Sequence, residues 1–188
     1  MQNTWCFVPT PWDPKVEVSP RHFFPNAKRV YILQKICEQQ ATITTKERLN
    51  FEALELNREQ REAFEAVVQS IEERHNETFP NVVYVDGPGG AGKTHVYKKV
   101  LHYVRLNGDI ATAVSMYGIS ALLLPGGRTA HSTFRLPIPV PLDRCTCNIK
   151  MQSITAELLR DASVIVWDEA PTASKVILQA VDEFNSFL

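Results

Sequence analysis

The chain lacks any excess of charge of one sign. Its 188 residues carry 20 Lys and Arg against 21 Asp and Glu, a net charge of −1. No global field therefore recruits nucleic acid, and any such contact must come from a local surface. No apolar run is long enough to span a membrane, and Met1–Thr10 lacks the basic-then-apolar order of a signal peptide. Asp13 and Glu17 follow soon after and argue against a transit peptide. Cysteine is scarce: Cys6, Cys37, Cys145 and Cys147. Cys145 and Cys147 are separated by one residue, and no second pair or histidine cluster completes a zinc site, so they read as reduced thiols. The five histidines are dispersed, with no triad-like setting. No internal repeat is present.

What remains is ordinary globular material, 44% hydrophobic and 22% charged, enough for one domain and an appendage. Five of the twelve prolines fall between Pro9 and Pro25, which disfavours regular structure there. Ala27–Gln40 has a weak helical stripe of Val30, Leu33, Ile36 and Cys37. We read residues 1–50 as an irregular, proline-rich N-terminal arm of unknown role and 51–188 as a separate folded domain. In the latter, Asn57 and Gln60 predict a capping box, followed by the stripe Phe64, Val67, Val68 and Ile71, with the helix ending near His75-Asn76. Strands are expected at Val82–Val85, Ile110–Met116 and Val164–Trp167. Helices are expected from Lys93 to Leu106, Gly118 to Leu124, Ile154 to Arg160 and Ser174 to Phe187, with Leu136–Asp143 an extended loop. Alternating strands and helices imply a parallel sheet covered on both faces.

The chemistry is concentrated in Gly87-Pro88-Gly89-Gly90-Ala91-Gly92-Lys93-Thr94, a full G-x-x-x-x-G-K-T phosphate loop between a strand and a helix. Gly87, Gly89, Gly90 and Gly92 free the backbone to turn successive N–H groups toward phosphate oxygens, and Ala91 is small enough to sit among them. The helix that follows adds the positive end of its dipole. Lys93 neutralises terminal phosphates and the Thr94 hydroxyl is a ligand for Mg²⁺. The strand ending in Asp168-Glu169 supplies the complementary half. Asp168 helps hold the metal, and Glu169 orients or deprotonates the attacking water, which suits an ATP hydrolase better than a kinase. Gln60 has two readings at this point, an adenine-reading amide or simply the closing member of a capping box.

Together these residues resemble the Pif-type (petite integration frequency) DNA helicases of superfamily one, including the helicase parts of Helitron transposons. The resemblance rests on Leu56–Gln60, Gly87–Thr94, Tyr117–Phe134, Cys147–Lys150 and Trp167–Pro171, and covers the chain from about Leu56 onward. Tyr117–Phe134 is its most family-specific part. It implies a P-loop NTPase of RecA-like α/β fold using ATP and Mg²⁺, with Gln60 as adenine reader and Lys93, Thr94, Asp168 and Glu169 in the roles above. It also implies that Gly118, Ser120, Arg128, Thr129, His131 and Ser132 touch the backbone of single-stranded DNA. For His131, a scaffold role holding two loops together is the other reading. Lys98, Lys99 and Arg105 read as a solvated helix face. Ala91, Tyr117, Ser120 and Thr172 depart from the family's usual residues.

The resemblance further implies 5′-to-3′ unwinding, roles in DNA repair, recombination and telomere maintenance, and a nuclear or mitochondrial location. The family's second RecA-like domain, with its arginine fingers, and the polar sensor strand after Asp-Glu are not among these 188 residues. The expectation is an N-terminal helicase fragment truncated after the Asp-Glu strand, binding Mg-nucleotide with little hydrolysis and leaving a sheet edge unprotected. A non-catalytic module that binds a partner or a full-length helicase is the alternative, and an unrelated phosphate-loop kinase is a third.

Overall fold

A computed structural model of the chain describes the backbone of residues 4–7, and residues 48–73 and 82–186 in full. The helical stripe expected at Ala27–Gln40 lies outside these residues. Strand β1 is Thr4–Phe7, before the first proline, and residues 48–53 form a short helix, α1. Next come α2 (Arg58–Glu72), β2 (Val82–Val85), α3 (Lys93–Leu106), β3 (Ile110–Ser115) and α4 (Gly118–Leu123). The chain continues through β4 (Arg128–Thr129), α5 (Ala130–Phe134), α6 (Ile154–Arg160), β5 (Ala162–Asp168), a 3₁₀ turn (Ala170–Thr172) and α7 (Lys175–Ser186).

Local chemistry explains most of these boundaries. Asn57 caps α2 through its side-chain oxygen, which accepts from the Gln60 N–H at 2.9 Å, and Gln60 Oε1 accepts from the Asn57 N–H at 3.1 Å. The capping box is therefore real. The helix ends at Glu72, a turn earlier than its apolar pattern suggested. Helix α3 stops at Asn107-Gly108, where Gly108 takes a left-handed φ of +84° at no steric cost. Its predicted face of Val96, Val100 and Val104 is buried, joined by Tyr97 and Leu101.

The sheet order is β2-β1-β5-β3-β4. Strands β5, β3 and β4 are parallel, and β2 points the same way because β1 is antiparallel to both β2 and β5. All seven residues of β5 are buried, as a strand covered on both faces requires. Beyond the irregularity at its start, where Ile110 pairs with Ala162 but Ala111 with Val164, its side chains alternate from Val164 onward. Val164 and Val166 join the cluster beneath α2 and α3, while Ile165 and Trp167 join the one formed with α5, α6 and α7. Ala111 and Ala113 of β3 face the first cluster and Val114 the second. The result is a three-layer α/β domain of RecA-like type.

Five elements were not legible in the sequence. Strand β4 is only two residues long, the 3₁₀ turn three, α5 five and α1 six, too short to show a period. Strand β1 is the fifth, inserted in register with Thr4 opposite Val85 and Trp5 opposite both Tyr84 and Trp167. At the edge of the sheet beyond β1, β2 has no second neighbour among the described strands.

Candidate nucleotide and nucleic-acid site

In a sheet of this kind the chemistry gathers where the parallel strands end. Here β2 ends at the phosphate loop and β5 at Asp168. Of the loop's glycines only Gly90 and Gly92 take the left-handed conformation, both at φ +82°. Gly87 does not, so the freedom argued for all four is needed at two. Gly92 is needed twice over, because a Cβ there would run into the Gln60 amide. The Lys93 ammonium lies across the loop, donating to the carbonyls of Gly87 at 2.6 Å and Pro88 at 3.0 Å. Thr94 is half-buried in the first turn of α3. Asp86 accepts the Gly87 N–H at 2.7 Å and steadies the entry to the loop.

Gln60 is tied to this loop directly. Its Nε2 donates to the Ala91 carbonyl at 3.1 Å while its Oε1 completes the capping box. Each atom keeps one further hydrogen-bonding position. The start of α2 and the phosphate loop are thus one hydrogen-bonded unit.

Asp168 is buried, and its Oδ1 accepts the Glu169 N–H at 3.0 Å. Glu169 follows in a left-handed conformation, φ +57°, uncommon for a residue with a side chain and held here by its surroundings. Thr172 supplies part of that hold. Its hydroxyl donates to the Glu169 carbonyl at 2.6 Å and its N–H to the same oxygen at 3.0 Å. Thr172, noted in the sequence only as a departure, is therefore the residue that fastens the turn. Burial pushes the Glu169 carboxyl up from its usual range, the neighbouring Asp168 pushes the same way, and Lys93 opposes both.

The six residues read as DNA contacts fall into two groups at the same end of the sheet. Gly118 opens α4 and is exposed, with Ser120 half-buried two residues along. Arg128 is exposed on β4; Thr129 caps α5, its Oγ1 accepting the Ser132 N–H at 3.2 Å, and Ser132 is exposed. The His131 ring is half-buried, and the bonds that tie α5 to the following loop are made by its carbonyl, which accepts from Arg135 and Leu136. Register brings this group beside the acids, since Ser115 lies opposite both Thr129 and Asp168. Phe134 stacks on Trp167 at 5.6 Å between ring centroids, packing α5 against the strand that carries Asp168.

Two expectations about α3 fail. Lys99 is not solvated: it donates to the carbonyls of Phe51 and Leu54 at 2.5 and 2.9 Å and lies 3.7 Å from the Phe51 ring centroid. Burial, and then Arg61, lower its pKa. Arg105 likewise donates to the carbonyls of Ala111 and Pro125. Both cations satisfy backbone oxygens on other elements, at the end of α1, in β3 and in a turn, a need that single-sequence charge patterning does not reveal. The Pro125-Gly126-Gly127 turn also acquires a reason. Gly126 has φ +67°, and a Cβ on Gly127 would strike the Ala121 carbonyl.

Among the described residues, no group of three His, Cys, Asp or Glu could hold a metal ion by itself, and no helix is long and apolar enough to cross a membrane. The chain matches no curated protein. Residues 55–186 match the family of PIF1-like helicases, nearly the span over which the resemblance was drawn. With that match over most of its length, on a RecA-like fold and a phosphate loop facing an Asp-Glu strand end, the chain belongs to the PIF1-like helicase family.

Proposed function

We propose that this chain is the nucleotide-binding part of an ATP-dependent, 5′-to-3′ DNA helicase serving repair, recombination and telomere maintenance in nucleus or mitochondrion. The observation that supports its ATPase core is that β2 and β5 point the same way, so that the phosphate loop after β2 and Asp168-Glu169 at the end of β5 lie at one end of the sheet. The loop fits a polyphosphate: two left-handed glycines admit close backbone approach, and one ammonium lies over the loop. Mg-ATP supplies the scissile phosphoanhydride and the energy for movement along DNA. Gly87, Gly89, Gly90, Ala91 and Gly92 cradle its phosphates through backbone N–H groups. Thr94 and Asp168 hold the metal ion. Gln60 uses its remaining donor and acceptor on the adenine edge.

Lys93 carries the countercharge for the terminal phosphates, and Glu169 orients the attacking water and accepts its proton. A raised carboxyl pKa suits that role, since it makes the ionised group a stronger base. Single-stranded DNA runs past Gly118, Ser120, Arg128, Thr129, His131 and Ser132. The stack of Phe134 on Trp167 links that strand path to Asp168. With arginine fingers assigned to a second RecA-like domain, hydrolysis by these residues alone is slow.

Titration with a fluorescent ATP analogue and Mg²⁺ tests the reading, with wild type compared to Lys93→Ala. Binding weakened at least tenfold by the substitution supports it. Unchanged binding rejects it in favour of a non-catalytic interaction module.

A further inference from the structure

A second concavity, of about 820 Å³, lies along α3 and shares no residue with the nucleotide or DNA sites. Lys98, His102 and Arg105, spaced i, i+4 and i+7, form its floor on one stripe of the helix. Leu122 and Leu123 of α4, with the turn that follows, make one wall, and the end of α1 with Leu54 makes the other. Both walls are pinned to α3. Arg105 donates to Pro125 at 2.9 Å on one side, and Lys99 to Phe51 and Leu54 on the other. The concavity is therefore formed before any ligand arrives, and its size is that of a ligand site.

Its chemistry is lopsided. No carboxylate lines it, whereas Lys98 and Arg105 both do, and Lys98 is in no ion pair among the described residues. The α4 wall is an exposed apolar stripe: Ile119 is 82% exposed, Leu122 84% and Leu123 54%. Large aliphatic side chains grouped in this way on a charged, soluble-type surface mark an interaction site. Cations beside aliphatics select a ligand with carboxylates beside apolar side chains.

We propose that this trough, walled by α1, α3 and α4, docks an acidic amphipathic segment of a partner protein, carboxylates toward Lys98 and Arg105 and apolar side chains against Leu122 and Leu123. The mode is a helix or extended segment laid in a groove. Single-stranded DNA fits less well, because no Phe, Tyr or Trp lines the trough to stack a base and the one ring there, His102, is buried. The chain's own stripe at Ala27–Gln40 fits less well too, with Lys28, Arg29 and Lys35 against a single carboxylate, Glu38.

The test selects ligands for the full chain from a displayed library of random dodecapeptides. The enriched peptides are then measured by fluorescence anisotropy on wild type, Lys98→Glu and Leu122→Asp. Both changes are at the surface, and binding of the ATP analogue is the control that the variants remain folded. That control also keeps failure here distinct from failure of the nucleotide reading. The expected result is a consensus pairing Asp or Glu with Leu, Ile or Phe, weakened at least tenfold by either variant with nucleotide binding unchanged. Three results overturn the proposal: no acidic-apolar consensus, selected peptides that bind both variants as tightly as wild type, or displacement of the peptides by oligo-dT at this site.

Discussion

Replacing Gln60 with alanine, and separately with glutamate, divides the two duties of that side chain. Alanine removes the acceptor for the Asn57 N–H and the donor to the Ala91 carbonyl. Each half-exposed bond contributes about 1 kcal/mol, so Gln60→Ala should lower stability by about 1–2 kcal/mol. In a domain of this size that is a drop in Tm of roughly 2–8 °C. Glutamate keeps the acceptor, since Glu closes a capping box as well as Gln does, and it gains from the helix dipole. Gln60→Glu should thus lie within about 0.5 kcal/mol of wild type in urea unfolding. A carboxylate has no proton for Ala91, however, and the loop loses that tie. About 1 kcal/mol of lost loop order corresponds to roughly fivefold weaker binding of an ATP analogue. If Gln60 also reads adenine, the preference for ATP over GTP collapses in both variants. The reasoning is refuted if glutamate destabilises as much as alanine, or if both variants bind nucleotide like wild type.

Three further outcomes follow from the geometry. Glu169→Gln should retain nucleotide binding and abolish single-turnover hydrolysis. Because the folded protein raises this carboxyl's pKa, the ionised group opposes folding above the ordinary glutamate range and is neutral in effect below it. Glu169→Gln should therefore raise Tm at mildly alkaline pH and leave it unchanged in acid, as read by melts across pH. Gly90→Ala should cost about 1–2 kcal/mol for its left-handed backbone alone, as nothing lies within 4 Å of a Cβ there. Gly92→Ala carries the same strain plus a collision with Gln60, so urea unfolding and nucleotide titration should both show it as the worse. Phe134→Ala removes a fully buried ring stacked on Trp167 and should cost about 3–5 kcal/mol in chemical denaturation, a large fraction of a domain's stability.

The sequence by itself determined the elements that rest on local rules. A capping box, an apolar period and a glycine stop each act within a few residues, so α2, α3 and β2 were legible, and so was the phosphate loop between strand and helix. It also named Lys93, Thr94, Asp168 and Glu169 as the candidate site residues, because a phosphate loop and an Asp-Glu strand end are short patterns with fixed physical reasons. Tertiary structure alone decided what depends on residues far apart in the chain. It chose between burial and solvation for Lys99 and Arg105, whose partners are carbonyls on other elements. It put β1 between β2 and β5, since backbone pairing carries no signal in so short a strand. It brought Thr129 into register with Ser115 and Asp168, and joined Gln60 to a loop 31 residues away. Local propensities name the parts of the cleft. Long-range hydrogen bonds and packing, which no window of sequence contains, decide which of those parts meet.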